Sequence, residues 1–136
     1  KISFTHSFME AKRPINFIGS VPNKISISAR FKFALVIENS PGYMTEKLFD
    51  AFFAGCLPIY IGPDLEKYSI PADLVIQMPA SFDAVLEKLD KLPEIDHSEY
   101  LERLNSWLYS LDTRQRWSSD EVWRRLGEET LKALSR

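Results

Sequence analysis

Glu38, Asn39, Ser40, Tyr43, Thr45, Glu46 and Lys47 put two carboxylates, an amide, two hydroxyls, a phenol and an ammonium into ten consecutive positions. That collection suits an anionic ligand rich in hydroxyls. An ammonium such as Lys47 can sit over a diphosphate, and a carboxylate such as Glu46 can accept hydrogen bonds from ribose hydroxyls. A helix beginning at these residues adds unpaired N–H groups and a partial positive charge, which also suit phosphate. The same residues serve a plainer purpose equally well. Glutamate in a first helical turn is favoured by the dipole alone, and a Glu-Lys pair there is often a solvated surface. On spacing alone the two readings stand level, because glycine-rich phosphate-binding patterns are missing.

The flanking sequence forms the frame that must hold these groups. Phe33–Ile37 is a continuous apolar run, as expected of a parallel-sheet strand buried on both faces. Glu38, Asn39 and Ser40 break it, and Pro41-Gly42 signals a turn. A helix is expected from about Thr45, with Leu48, Ala51, Phe52 and Gly55 at helical spacing, Thr45 as N-cap and Gly55 as stop. Leu57–Ile61 reads as the next strand, closed by Gly62-Pro63. This is one βαβ unit, and its polar residues fall at the carboxyl ends of the strands, where open α/β sheets bind ligands.

The stretch KFALVIENSPGYMTEKLFDAFFAGCLPIYIGP carries ENS, then Tyr-x-Thr-Glu-Lys-Leu, then Ala-Gly-x-x-Pro-x-x-x-Gly. In order and spacing it resembles the signature of the α-1,3/1,4-fucosyltransferase family, continuously over about Phe31 to Pro63 and more loosely to Leu92. The resemblance implies an α/β, three-layer Rossmann-like domain with a mostly parallel sheet, the C-terminal half of a GT-B architecture, in an inverting transferase. It implies GDP-fucose or GDP as ligand and a glycan as acceptor, with no cofactor and no metal. By the same resemblance Lys47 would contact the phosphates, Glu46 the ribose and Tyr43 the nucleotide. Asn39 and Thr45 would position the ligand, Ser40 lies in the same motif, and Glu38 would contact fucose or hold the loop. The catalytic base and a diphosphate-facing arginine belong to the family's N-terminal, acceptor-binding domain. That domain is not expected in this chain, so the chain alone is expected to bind nucleotide weakly and turn over little. A non-catalytic nucleotide-binding or interaction module on the same fold, or a transferase for another nucleotide sugar, stays open.

A length of 136 residues implies one domain, and 45% hydrophobic with 26% charged residues is the composition of a water-soluble globular chain. A net charge of −2 gives no electrostatic case for nucleic acid. No apolar run reaches membrane-spanning length, and no signal peptide is recognisable. The chain opens at Lys1 rather than Met, so removal of an upstream segment is allowed for. Cys56, the one cysteine, is expected to be a buried structural thiol, and His6 and His97 offer no zinc spacing. With no glycosylation sequon these features lean towards a reducing compartment. The family resemblance allows a cytoplasmic, membrane-associated bacterial-type enzyme or a Golgi-lumenal eukaryotic one.

Elsewhere, Pro14–Gly19 is expected to be a short strand and Ser20–Ala29 a loop. Arg30 and Lys32 read as an ordinary basic strand entry. Asp64–Tyr68 reads as a turn or short helix, and Leu74–Gln77 as a third strand at the sheet edge. Ser81 caps a helix to about Leu89, built on Phe82, Val85, Leu86 and Leu89. Helices are expected over about 96–111, opened by Asp96 to Glu99, and over about 118–134, opened by Ser118 to Glu121. The second carries Val122, Trp123, Leu126 and Leu134 on its apolar side. Trp107, Trp117 and Trp123 are expected to pack, and His97 to lie at the surface.

Overall fold

Leu57–Ile61 (β2) is buried at all five positions, so both its faces are covered. The computed structural model describes residues 21–39, 42–90, 92, 95–121, 124 and 128. The strand expected over Pro14–Gly19 lies outside them, as do Val122, Trp123, Leu126 and Leu134 of the final helix. The described chain divides into two compact units at Tyr100/Leu101.

In the first unit, Phe33–Ile37 (β1) pairs with β2 in parallel, from Phe33↔Leu57 to Ile37↔Ile61. Ile76–Gln77 (β3) pairs with the other side of β2, also in parallel, giving the order β1-β2-β3. The expected α/β class with a parallel sheet is therefore present. Pro58 sits in the central strand because its missing donor does no harm there. Leu57 N–H donates to Lys32 O on the β1 side, so alternation turns Pro58 to the β3 side, where pairing begins only at Ile59.

Lys47–Phe53 (α2) lies between β1 and β2 in the chain and packs on both. Leu48, Ala51 and Phe52 form its inner face, while Phe53 is exposed. Full burial of Leu48 and Phe52 contributes about 1.5–3 kcal/mol each. The helix ends as expected at Gly55, whose φ of 73° is readily reached only by glycine. Gly55 N–H donates to Phe52 O and Cys56 N–H to Ala51 O, the paired bonds of a Schellman stop.

Several expectations about local structure change. Lys24–Ser28 (α1) is a short helix rather than loop, opened by Asn23, whose side chain accepts from Ser26 N–H at 3.1 Å. α2 starts at Lys47 with Glu46, not Thr45, as N-cap, because Thr45 is drawn to another partner described below. β1 is not buried on both faces: Val36 is buried, but Leu35 is 37% exposed and lines the open groove described below. The third strand shrinks to Ile76–Gln77, with Ala72–Leu74 forming a 3₁₀ turn.

Phe82–Asp90 (α3) follows its expectation, with Ala84 N–H on Ser81 Oγ at 3.4 Å and Val85 fully buried. His97–Leu108 (α4) is opened by Asp96, which accepts from the N–H groups of Ser98 and Glu99. His97 is half-buried and stacks on Tyr100, rather than standing at the surface. Tyr100 is buried, and its hydroxyl donates to Cys56 O at 2.8 Å. In the second unit the expected continuation to residue 111 is interrupted. Ser110 caps a separate short helix, Leu111–Arg116 (α5), accepting from Thr113 N–H at 3.2 Å. Ser118 Oγ then accepts from Glu121 N–H, as expected of a helix start. Trp107 and Trp117 are half-buried.

Cys56 is the buried structural thiol foreseen, its Sγ lying 3.1 Å from Ser28 O and 3.2 Å from Phe31 O. Burial pushes this thiol up. The Tyr60 phenol is pushed up as well, first by burial, then by the neighbouring charge of Glu38 and by Tyr68. Both acids hold their protons longer in the fold than in the unfolded chain. Above about pH 9 the unfolded state therefore binds fewer protons, and stability falls as pH rises. Urea midpoints are expected to be lower at about pH 10 than at about pH 8. Equal midpoints would contradict this.

Candidate functional site

The carboxyl ends of β1 and β2 meet around one buried carboxylate. Glu38 follows β1, its N–H donates to Ile61 O, and its side chain is only 1% exposed. Oε1 accepts from Thr45 N–H at 2.8 Å and Oε2 from Thr45 Oγ1 at 2.7 Å. Lys47 reaches the same oxygen at 3.5 Å and donates to Ile37 O at 3.0 Å. Of the two roles allowed to Glu38, holding the loop is therefore the one its contacts serve.

This arrangement accounts for the late helix start. Thr45 spends its hydroxyl and its N–H on Glu38, leaving only a long 3.5 Å approach of Lys47 N–H to its Oγ1. Met44 N–H is taken by the Tyr68 hydroxyl at 3.1 Å. Side chains thus already occupy the backbone donors just ahead of α2. The Lys47 ammonium, 34% exposed, brings positive charge to this edge.

Lys47 also lines an open groove of about 370 Å³ running along β1 between α1 and α2. Asn39, Lys24 and Asp50 share that lining, and Lys24 pairs with Asp50 at 2.8 Å. Glu46 and Tyr43 are exposed near it in sequence, Tyr43 to 59%. Ser40 lies outside the described residues. The structure thus joins Glu38, Thr45 and Lys47 in one cluster and places Asn39 with Lys47 on the groove. Arg30 and Lys32 are exposed at the opposite, amino end of β1, consistent with an ordinary strand entry. Among the described residues no group of acidic, histidine or cysteine side chains could hold a metal ion. None of the described helices is long and apolar enough to cross a membrane.

Three contributors escaped sequence reasoning. Tyr68 supports the loop from 24 residues away, and Lys67 donates to Gly42 O at 3.4 Å. Gly62 provides the space in which Tyr60 and Glu38 meet: a Cβ there would lie 2.5 Å from the Tyr60 hydroxyl and 2.8 Å from Glu38 Cγ. One signal was present, a phenol near the carboxyl end of an otherwise wholly apolar strand.

Comparison with known proteins gives this site its context. The model of a family described as glycosyltransferase family 10 (fucosyltransferase), C-terminal, matches residues 15–128. A Mus musculus protein named 4-galactosyl-N-acetylglucosaminide 3-alpha-L-fucosyltransferase 9 is 40% identical over 83 residues, covering 58% of this chain and 23% of that protein. The Homo sapiens protein of the same name is 40% identical over 78 residues, covering 51% and 22%. Mus musculus alpha-(1,3)-fucosyltransferase 4 is 44% identical over 59 residues, covering 41% and 13%. The chain spans less than a quarter of the length of these relatives. No solved structure matches it significantly. With the family model covering the βαβ unit, the Glu38–Thr45–Lys47 cluster and most of the remaining sequence, this chain belongs to glycosyltransferase family 10, the fucosyltransferases, in their C-terminal region.

Proposed function

We propose that this chain is the GDP-fucose-binding part of an inverting fucosyltransferase that transfers fucose to a sugar hydroxyl of a glycan acceptor. The observation that carries this reading is the position of Lys47, a partly exposed ammonium at the carboxyl edge of β1, beside an open groove and inside the family-matched segment. The name shared by the Mus musculus and Homo sapiens relatives, 4-galactosyl-N-acetylglucosaminide 3-alpha-L-fucosyltransferase 9, supports fucose as the group transferred and a glycan as the acceptor.

Inverting transfer removes a proton from the acceptor hydroxyl as its oxygen attacks the anomeric carbon. The bond from that carbon to the diphosphate oxygen breaks, and GDP departs with the electron pair. The leaving diphosphate needs positive charge, and the attacking hydroxyl needs a base. Lys47 supplies the first, with Glu46 for the ribose hydroxyls, Tyr43 for the nucleotide and Asn39 for orientation from the groove. Ser40 joins this set by its place in the motif. Thr45 and Glu38 hold the loop that presents them. The base and the acceptor site come from a part of the protein outside this chain, and the donor is a substrate, with no further cofactor.

Competition among nucleotides tests the reading. GDP is expected to displace a labelled GDP probe at least about tenfold better than UDP or ADP, a difference of about 1.4 kcal/mol in binding. Turnover is expected only when an acceptor-binding domain is supplied. Equal displacement by all three would favour a transferase for another nucleotide sugar. GDP binding without turnover, even with that domain present, would favour a non-catalytic module.

A further inference from the structure

Tyr60 is wholly buried in the central strand, and among the described residues its hydroxyl has no hydrogen-bond partner. A buried donor left unbonded is a standing cost, and native folds rarely keep one without a use for it. Its position suggests the use. The Tyr60 hydroxyl and Glu38 Cγ lie 2.5 Å and 2.8 Å from the same point, the place a side chain on Gly62 would fill. The phenol therefore stands beside the carboxylate that organises the site. The upward push of the Glu38 charge on the Tyr60 proton agrees with that proximity.

Glu38 depends on Lys47 for one of its partners. The ammonium is shared between Glu38 Oε2 at 3.5 Å and Ile37 O at 3.0 Å. A cation that turns to a ligand's diphosphate gives up these contacts. Among the described residues Glu38 Oε2 then keeps only Thr45 Oγ1, in surroundings that leave its side chain 1% exposed and so almost without water. A carboxylate short of donors in such a place holds the cation back.

We propose that Tyr60 is a positioning residue whose hydroxyl donates to Glu38 when Lys47 turns to the diphosphate of a bound nucleotide. The buried phenol replaces the ammonium as the carboxylate's donor, so the loop keeps its anchor while the cation serves the ligand. The inference rests on the nucleotide reading above and adds a residue to it.

Opposite effects on the free and bound states follow. Tyr60→Phe removes an unbonded hydroxyl from the free protein, so its urea midpoint stays equal or rises. The same substitution removes a charge-assisted bond from the bound state, so GDP affinity falls about tenfold. In a Lys47→Ala background the cation is gone, and Tyr60→Phe changes GDP affinity no further. Calorimetric titration of GDP into the wild type, both single variants and the double variant reads these outcomes. A second readout uses inorganic diphosphate, which does not absorb in the near ultraviolet: at saturation it shifts tyrosine absorption in the wild type and not in Tyr60→Phe. Wild-type affinity in Tyr60→Phe would overturn the inference, as would an equal loss in both backgrounds or a lowered urea midpoint. Failure of the wild type to bind GDP at all would remove the nucleotide reading itself, an outcome distinct from a silent Tyr60→Phe in a protein that binds.

Discussion

Gly62→Ala is expected to destabilise the protein by about 2–3 kcal/mol, the upper part of the range for forcing an extra carbon into a packed interior. The new Cβ would sit 2.5 Å from the Tyr60 hydroxyl, 2.6 Å from its Cζ and 2.8 Å from Glu38 Cγ. None of these neighbours can yield cheaply. Tyr60 lies on the buried central strand, and Glu38 is fixed by two bonds to Thr45. Thermal unfolding measures the loss, at about 2–8 °C per kcal/mol for chains of this size range. A specific control accompanies it. Adding Tyr60→Phe removes the nearest clashing atom but leaves the ring carbon, so stability should return only in part. No loss in Gly62→Ala, or full recovery in the double variant, would contradict the packing described.

Glu38→Ala carries the second large effect. It removes the acceptor for Thr45 N–H, the acceptor for the Thr45 hydroxyl and the countercharge near Lys47. Leaving part-buried donors unbonded costs about 1–3 kcal/mol per group, and the partly exposed ammonium adds little because water can reach it. A total loss of about 2–4 kcal/mol is expected in the urea midpoint, together with faster amide exchange across Gly42 to Lys47. Were Glu38 reserved for ligand contact, the same substitution would leave unliganded stability near the wild type. Stability of the free chain therefore separates the two roles.

Local chemistry made much of this fold legible. The Gly55 stop, the Asp96 and Ser81 caps and the parallel pairing of Phe33–Ile37 with Leu57–Ile61 all follow from short-range signals, and all are present. What stayed hidden depends on partners distant in sequence. Thr45 has the chemistry of an N-cap, but the glutamate seven residues earlier outcompetes the helix for its hydroxyl. Tyr68 sits 24 residues from the loop it supports, beyond any periodicity. The exposure of Leu35 depends on how residues distant in sequence leave a groove open along β1, which no single strand reveals. The break before Leu111 was readable in principle. Ser110, followed by Leu-Asp-Thr, is a cap sequence, masked by the apolar spacing that continues from Leu108 to Leu111.

The site divides along the same line. Its residue types lie in one short segment, so their chemistry was visible at once. Their division of labour was not, because Glu38 and Lys47 are set by contacts among β1, the loop and each other. Met44 and Thr45 N–H, just ahead of α2, are already taken by side chains, so the anion-binding role proposed for this edge is assigned to the Lys47 ammonium.

Titration of GDP into the wild-type chain and Lys47→Ala, at one ionic strength, tests that assignment most directly. A charge-assisted contact to phosphate is worth about 1.5–3 kcal/mol, so removing the ammonium should weaken binding about ten- to hundredfold. Equal affinities for the two proteins would contradict the assignment of the diphosphate to this edge of the sheet.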